Sequence, residues 1–153
     1  MVVTPVEVAI AILYYRHQFL MQLRDNTPGI VYPGHWGFFG GHLDPGESPE
    51  TAMWRELQEE IEYVPPHLTQ FKSDREDPHV TRHVFFAPLV VPLNQLKLNE
   101  GWDMQLLSVE EISQGSHYSA KAGHVCPVVP AVQRILKEFV AQPGMVDLIK
   151  SPY

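Results

Sequence analysis

The stretch GHLDPGESPETAMWRELQEEIEY, residues 41–63, decides how the chain is read. Ser48-Pro49-Glu50 opens a helix. Ser48 can accept a hydrogen bond from an exposed N–H group, Pro49 suits the first helical position, and Glu50 suits the positive end of the dipole. Ala52, Met53, Leu57 and Ile61 recur at helical spacing and form an apolar stripe. Pro65-Pro66 stops the helix. Glu56, Glu59 and Glu60 project together from another face, and Glu62 follows. Carboxylates three and four residues apart repel each other on a helix, so that face calls for a cation. Three converging carboxylates are hard oxygen ligands of the kind that magnesium or manganese takes. A solvated acidic face has the same composition, and the helix alone does not separate the two.

The flanks of the helix add detail. Gly40-Gly41 allows a close backbone approach and offers a carbonyl to the same cation. Arg55, beside Glu56, is placed to pair with a carboxylate and hold the array.

From Gly41 to Tyr63 the chain resembles the Nudix box, G-x5-E-x7-R-E-U-x-E-E-x-G-U, where U is bulky and apolar. Gly41, Glu47, Arg55, Glu56, Glu59, Glu60 and Tyr63 all stand at the right spacing. The resemblance continues outside the box. FLMQLRDN (19–26) and WGFFGGHLDPGE (36–47) are similar to the lead-in of MutT-like enzymes, and LNEGWDMQLLSVEEI (98–112) resembles a later family segment. One position departs from the pattern: Glu62 replaces the glycine that normally ends the helix. The helix is expected to run to about Ile61 or Glu62 or, without that glycine, slightly further towards Val64-Pro65.

The resemblance implies a single-domain α/β/α sandwich around a mixed sheet. It implies hydrolysis of a nucleoside diphosphate linked to another moiety, of the nucleoside triphosphate or nucleotide-sugar type, with water attacking phosphorus. Magnesium, or manganese, would be held by Glu56, Glu59, Glu60, Glu100 and the Gly41 carbonyl. Arg55 would orient Glu47 or Glu56, and Glu59 or Glu60 would activate the water. Glu100 precedes Gly101, as the family's loop glutamate precedes a glycine; Glu76, Asp77 and Asp103 are its rivals. Arg24 occupies the place of an arginine that approaches the nucleotide. Trp36 and Phe38 are candidates to stack on a base, and His83 to face substrate; core packing is the competing role for the aromatics. A non-catalytic nucleotide sensor on the same fold is the alternative, disfavoured because the box keeps all its acids.

The rest of the chain fits one domain. Its 153 residues are 44% hydrophobic and carry a net charge of −7, which argues against binding a nucleic-acid polymer. A small anionic ligand is compatible with that charge, because a bound metal inverts the local field. One cysteine, Cys126, excludes an internal disulfide; a buried inert thiol is expected. Strands are predicted at 6–15, 18–23, 36–39, 69–72, 82–91 and 102–108, with Pro88 suggesting a sheet edge or bulge. A short helical turn is predicted at 109–112 and an amphipathic helix at 130–140. Residues 113–126 read as a loop and 142–153 as a loose tail after a Nudix domain spanning 1–141. Of the basic residues, Arg75, Arg82 and Lys121 are placed either to meet phosphates or simply on the surface. No segment is long or apolar enough to span a bilayer. A cytoplasmic monomer or homodimer with a small-molecule substrate is expected.

Overall fold

A computed structural model describes residues 4–150. In chain order the elements are β1 (Val6–Tyr15), β2 (Gln18–Leu23), β3 (Trp36–Gly37), β4 (Phe39–His42), α1 (Pro49–Ile61), β5 (Thr69–Asp74), β6 (Val80–Pro88), β7 (Asp103–Ser108), α2 (Val109–Ser113), β8 (Ser116–Ser119), β9 (His124–Pro127), α3 (Pro130–Val140) and α4 (Met145–Lys150). Seven strands form one mixed sheet, in which β1 and β6 run parallel from Val6↔Val80 to Tyr14↔Pro88 and the other pairs are antiparallel.

The long apolar run of β1 reflects burial on both faces. Ala9, Ala11 and Leu13 pack beneath α1 with Met53, Leu57 and Ile61. Ile12 and Tyr14 point the other way, into a second core completed by Val132, Ile135, Leu136 and Phe139 of α3. The α/β/α sandwich and the expected stripes of both main helices are therefore present. No helix of the described residues is long and apolar enough to cross a membrane.

The sheet splits, and the split places the site. β1 and β2 pair only beside their turn, at Tyr14↔Phe19 and Tyr15↔Gln18. Further along, β1 pairs with β4 and β2 pairs with β3 and β7. Phe38 alone separates β3 from β4, so the chain crosses the gap there. Gln22 and Gly40 face the gap from either side, and α1 lies across it.

Several expectations are corrected. β6 lies between β1 and β5, but its pairing with β5 ends at Phe86, so Pro88, the strand's last residue, stands where the β5 side is unpaired; beyond it Leu89 N donates to Tyr14 O at 2.8 Å. The bulge lies on β5, between Gln70 and Lys72. Residues 113–126 are not wholly loop: β8 and β9 form a hairpin, whose polar, short strands lack the alternation that marks a strand. Within the supposed loose tail, α4 buries Ile149, and His17 N donates to Ile149 O at 3.1 Å. The expectation for residues 151–153 lies outside the described residues.

Candidate active site

α1 starts as its sequence dictates: Thr51 N donates to Ser48 Oγ at 3.1 Å, with Pro49 at the first position. It ends at Ile61, as the spacing predicts, without the extension towards Val64-Pro65. Glu62 takes the left-handed conformation (φ 53°, ψ 40°) that glycine would take more easily. Its side chain accepts from Asn99 Nδ2 at 2.9 Å, and Asn99 also donates to the carbonyls of Glu59 (3.1 Å) and Glu60 (2.8 Å). The loop bearing Glu100 is thus tied to the last turn of α1, and the contact helps hold Glu62 in its unusual conformation.

Glu56, Glu60 and Glu100 each offer an oxygen lying within 4.8 Å of those of the other two. Glu60 is 1% exposed. Its carboxylate accepts from Gly40 N at 2.8 Å and Gln22 Nε2 at 3.2 Å, and Gln22 Nε2 also donates to Glu100 O at 2.9 Å. Those donors are neutral. Burial, reinforced by Glu100 and Glu56, pushes the Glu60 carboxyl up to about 9. Burial also raises Glu56, against the pull of Arg55.

Arg55 anchors the other side. Its Nε and Nη2 each lie 2.8 Å from a Glu47 oxygen; Nη1 donates to Glu56 at 2.9 Å and Glu59 at 3.1 Å, and Nη2 to His42 O at 3.1 Å. It therefore bonds both carboxylates named for it, Glu47 and Glu56. The Glu47 carboxyl falls to about 2 because Arg55 and the Asp44 amide bond its charged form.

Backbone leaves no room for a side chain at Gly40, and at Gly41 a side chain would push the Glu56 carboxylate aside. A Cβ on Gly40 would lie 2.0 Å from Ala9 O, and one on Gly41 would lie 2.7 Å from the Glu56 carboxylate. Gly41→Ala is therefore expected to displace Glu56 and weaken manganese binding at least tenfold, on the order of losses from disturbed ligand support, measurable by calorimetric titration.

The family model of the NUDIX domain matches residues 4–125. The chain belongs to the Nudix family. The RNA pyrophosphohydrolase of Shewanella oneidensis is 50% identical to it over 40 residues, 26% of this chain and 23% of that protein. The 8-oxo-dGTP diphosphatase of Escherichia coli is 43% identical over 47 residues, 29% of this chain and 36% of that protein. The matches thus span well under half of these relatives. The crystal structure of a MutT Nudix hydrolase from Burkholderia pseudomallei superposes with a TM-score of 0.67 at 19% identity, covering 88% of this chain and 97% of that one, which speaks to fold alone.

Within this Nudix fold the expected site residues divide. Glu56, Glu60 and Glu100 converge, while Glu59 is outside the trio, its side chain 59% exposed against Arg55. The rivals of Glu100 are engaged elsewhere: Glu76 lies 3.4 Å from Arg134, Asp77 accepts from His79 N, and Asp103 accepts from Ser119 Oγ at 2.7 Å. Arg24 Nε donates to Val31 O at 2.7 Å and braces the loop after β2.

Three substrate candidates face inward and are corrected. Trp36 is wholly buried, its Nε1 donating to His117 O at 3.0 Å, and Phe38 is buried in the same core. His83 is buried on the α1 side of the sheet, 2.9 Å from Ser73 Oγ and 2.9 Å from Glu7 Oε1. Cys126 is buried, as expected. Gln22 and Asn99 escaped the sequence reading. The one available signal was Gln22 itself, a polar residue inside the apolar run FLMQL.

The trio carries a pH signature. Glu60 holds its proton to about 9 when folded, against about 4.5 for the ordinary carboxyl. Between those values the folded state binds more protons than the unfolded one, so stability falls as pH rises. In chelator, the melting temperature is expected to decline from pH 5 to pH 9. Magnesium should lessen that decline, since it favours the ionised carboxylates. Scanning calorimetry at stepped pH, with and without magnesium, checks both slopes.

Proposed function

We propose that this chain is a divalent-cation-dependent hydrolase that cleaves a diphosphate linking a nucleoside to a further moiety, in the nucleoside triphosphate or nucleotide-sugar class. The observation that carries this reading is the trio of Glu56, Glu60 and Glu100 within 4.8 Å, with Glu60 buried among neutral donors. The donor set fits the cation. All three side chains are hard oxygen ligands, Gly41 leaves the space that a side chain would fill, and buried carboxylates favour a cation once ionised. Glu56, Glu60 and Glu100, with the Gly41 carbonyl, would hold magnesium or manganese. When bound, such a cation neutralises charge that develops on the phosphate oxygens.

The chain's own residues supply the rest. Arg55 fixes Glu47 and Glu56 through three short contacts, and Gln22 with the Gly40 amide sets the rotamer of Glu60. Glu59, outside the trio and open to solvent, is assigned to take the proton from the attacking water. Water adds to phosphorus, and the bond to the bridging oxygen breaks. The names of the two curated relatives support a diphosphate on a nucleotide as the reacting group. The reading also places the protein in the cytoplasm, acting on a small soluble nucleotide.

Manganese titration followed by electron paramagnetic resonance tests the centre. Binding by the wild type, lost in Glu56→Gln and Glu60→Gln, is expected. Equal binding by all three proteins would remove the trio as a metal centre.

A further inference from the structure

We propose that Arg82 reads the part of the substrate beyond the scissile diphosphate, by donating hydrogen bonds to an oxygen acceptor there; this rests on the hydrolytic reading above for where the diphosphate sits. The first observation is an unmet donor. Arg82 Nη1 is shielded from solvent and has no hydrogen-bond acceptor among the described residues. The nearest carboxylate oxygen, Asp74 Oδ2, stands 4.0 Å away, and the Arg82 side chain is 14% exposed. Asp74 is already engaged: Arg134 donates to both its oxygens at 2.8 and 2.9 Å, and Lys72 Nζ lies 3.5 Å away. A guanidinium forks naturally onto phosphate or carbonyl oxygens. Turning it outward would cost no protein hydrogen bond at Nη1.

The second observation is where Arg82 stands. His42, Val8, Arg82 and Asp74 form one row across β4, β1, β6 and β5. Paired residues share a sheet face. The next row, Gly41, Ala9, His83 and Ser73, faces α1, and there Gly41 meets Glu56. On Arg82's face, Ile12, Tyr14 and Val84 are fully buried, whereas Val8, Ile10 and Arg82 are only half-buried although β1 and β6 are interior strands. The Arg82 end of this face is thus less covered than the Tyr14 end, and it forms a shelf. Arg82 lies on it two strand spacings from His42, about 10 Å, and His42 directly follows Gly41. A group attached to a diphosphate held at Gly41 and Glu56 would reach that far.

The acceptor is either a base carbonyl or a phosphate or sugar oxygen, and the test separates them. Calorimetry would measure binding of GMP, UMP and ribose 5-phosphate, in magnesium, to wild type, Arg82→Met and Arg82→Lys. Cleavage of GTP and UDP-glucose would be followed beside it. Methionine keeps the apolar stem without donors, and lysine keeps the charge without the fork. Affinity for GMP or UMP is expected to fall about 10- to 100-fold in Arg82→Met and to recover only in part in Arg82→Lys. KM should rise with little change in kcat, which a merely structural role would not produce selectively. An equal loss for ribose 5-phosphate places the acceptor on the phosphate or sugar; a loss confined to nucleotides places it on the base. Unchanged binding in Arg82→Met, or no binding of any probe by the wild type, overturns the proposal. If Arg82→Met does not fold, full affinity in Arg82→Lys overturns it. Binding lost in the variant, with neither GTP nor UDP-glucose cleaved by the wild type, sustains the role of Arg82 and counts against hydrolysis instead.

Discussion

Replacing Glu60 by Gln is expected to lower turnover by about a hundredfold to a thousandfold while raising the melting temperature of the metal-stripped protein at pH 8. The two effects share one cause. Glu60 is 1% exposed, and its carboxyl is pushed up to about 9. At pH 8 the folded protein must either keep a proton on Glu60 or bury an unpaired charge, whereas the unfolded chain carries the charge in water. Glutamine has nearly the same shape and no charge, so that penalty disappears. It is also a poor ligand for a hard cation and cannot ionise. Calorimetry in chelator and steady-state kinetics in magnesium check the two halves. A variant that is less stable and fully active would show Glu60 to be a structural residue.

The second large effect is expected at Arg55. Arg55→Lys keeps the charge but not the fork, and lysine cannot span both Glu47 oxygens while also reaching Glu56, Glu59 and the His42 carbonyl. Turnover should fall about 10- to 100-fold, the usual range for residues that orient ligands. The acid limb of stability should change as well. Glu47 is held down to about 2 against an ordinary value of 4.5. The stability it contributes is therefore complete above about pH 4.5 and is lost as pH falls towards 2. Arg55→Lys should show a shallower loss across that window. An acid limb identical to wild type, with full turnover, would mean that the guanidinium contacts matter little.

What the sequence made legible is what a single helix or strand encodes. The spacing of Glu56, Glu59 and Glu60 follows from helical geometry, as does the buried stripe of α3, and the family pattern tied Gly41, Glu47 and Arg55 to it. Contacts between distant segments were harder to see. Gln22 is 38 residues from Glu60, and nothing in FLMQL shows that its amide spans the sheet split. Asn99 acts by gripping the end of α1, and the extension considered past Glu62 does not form. Glu59 and Glu60 are adjacent in sequence, yet one is exposed and the other buried, because only Glu60 points at Gly40. Phe38 and Phe39 point into opposite cores, both faces of the sheet being covered there, so neither is free to stack on a base. Arg82 and His83 form the same kind of pair: Arg82 lies on the less covered face and His83 is buried towards α1, and the sequence favoured the histidine.

The most direct measurement is cleavage of a nucleotide panel followed by phosphorus NMR. The panel would hold canonical and oxidised triphosphates, nucleotide-sugars, ADP-ribose and a dinucleoside polyphosphate, each with magnesium, with manganese and with chelator. The expected result is cleavage of a diphosphate bond in one class, present with metal, absent with chelator and lost in Glu60→Gln. Tight binding of one nucleotide with no cleavage under any condition would contradict the hydrolytic reading and make the protein a sensor built on a Nudix fold.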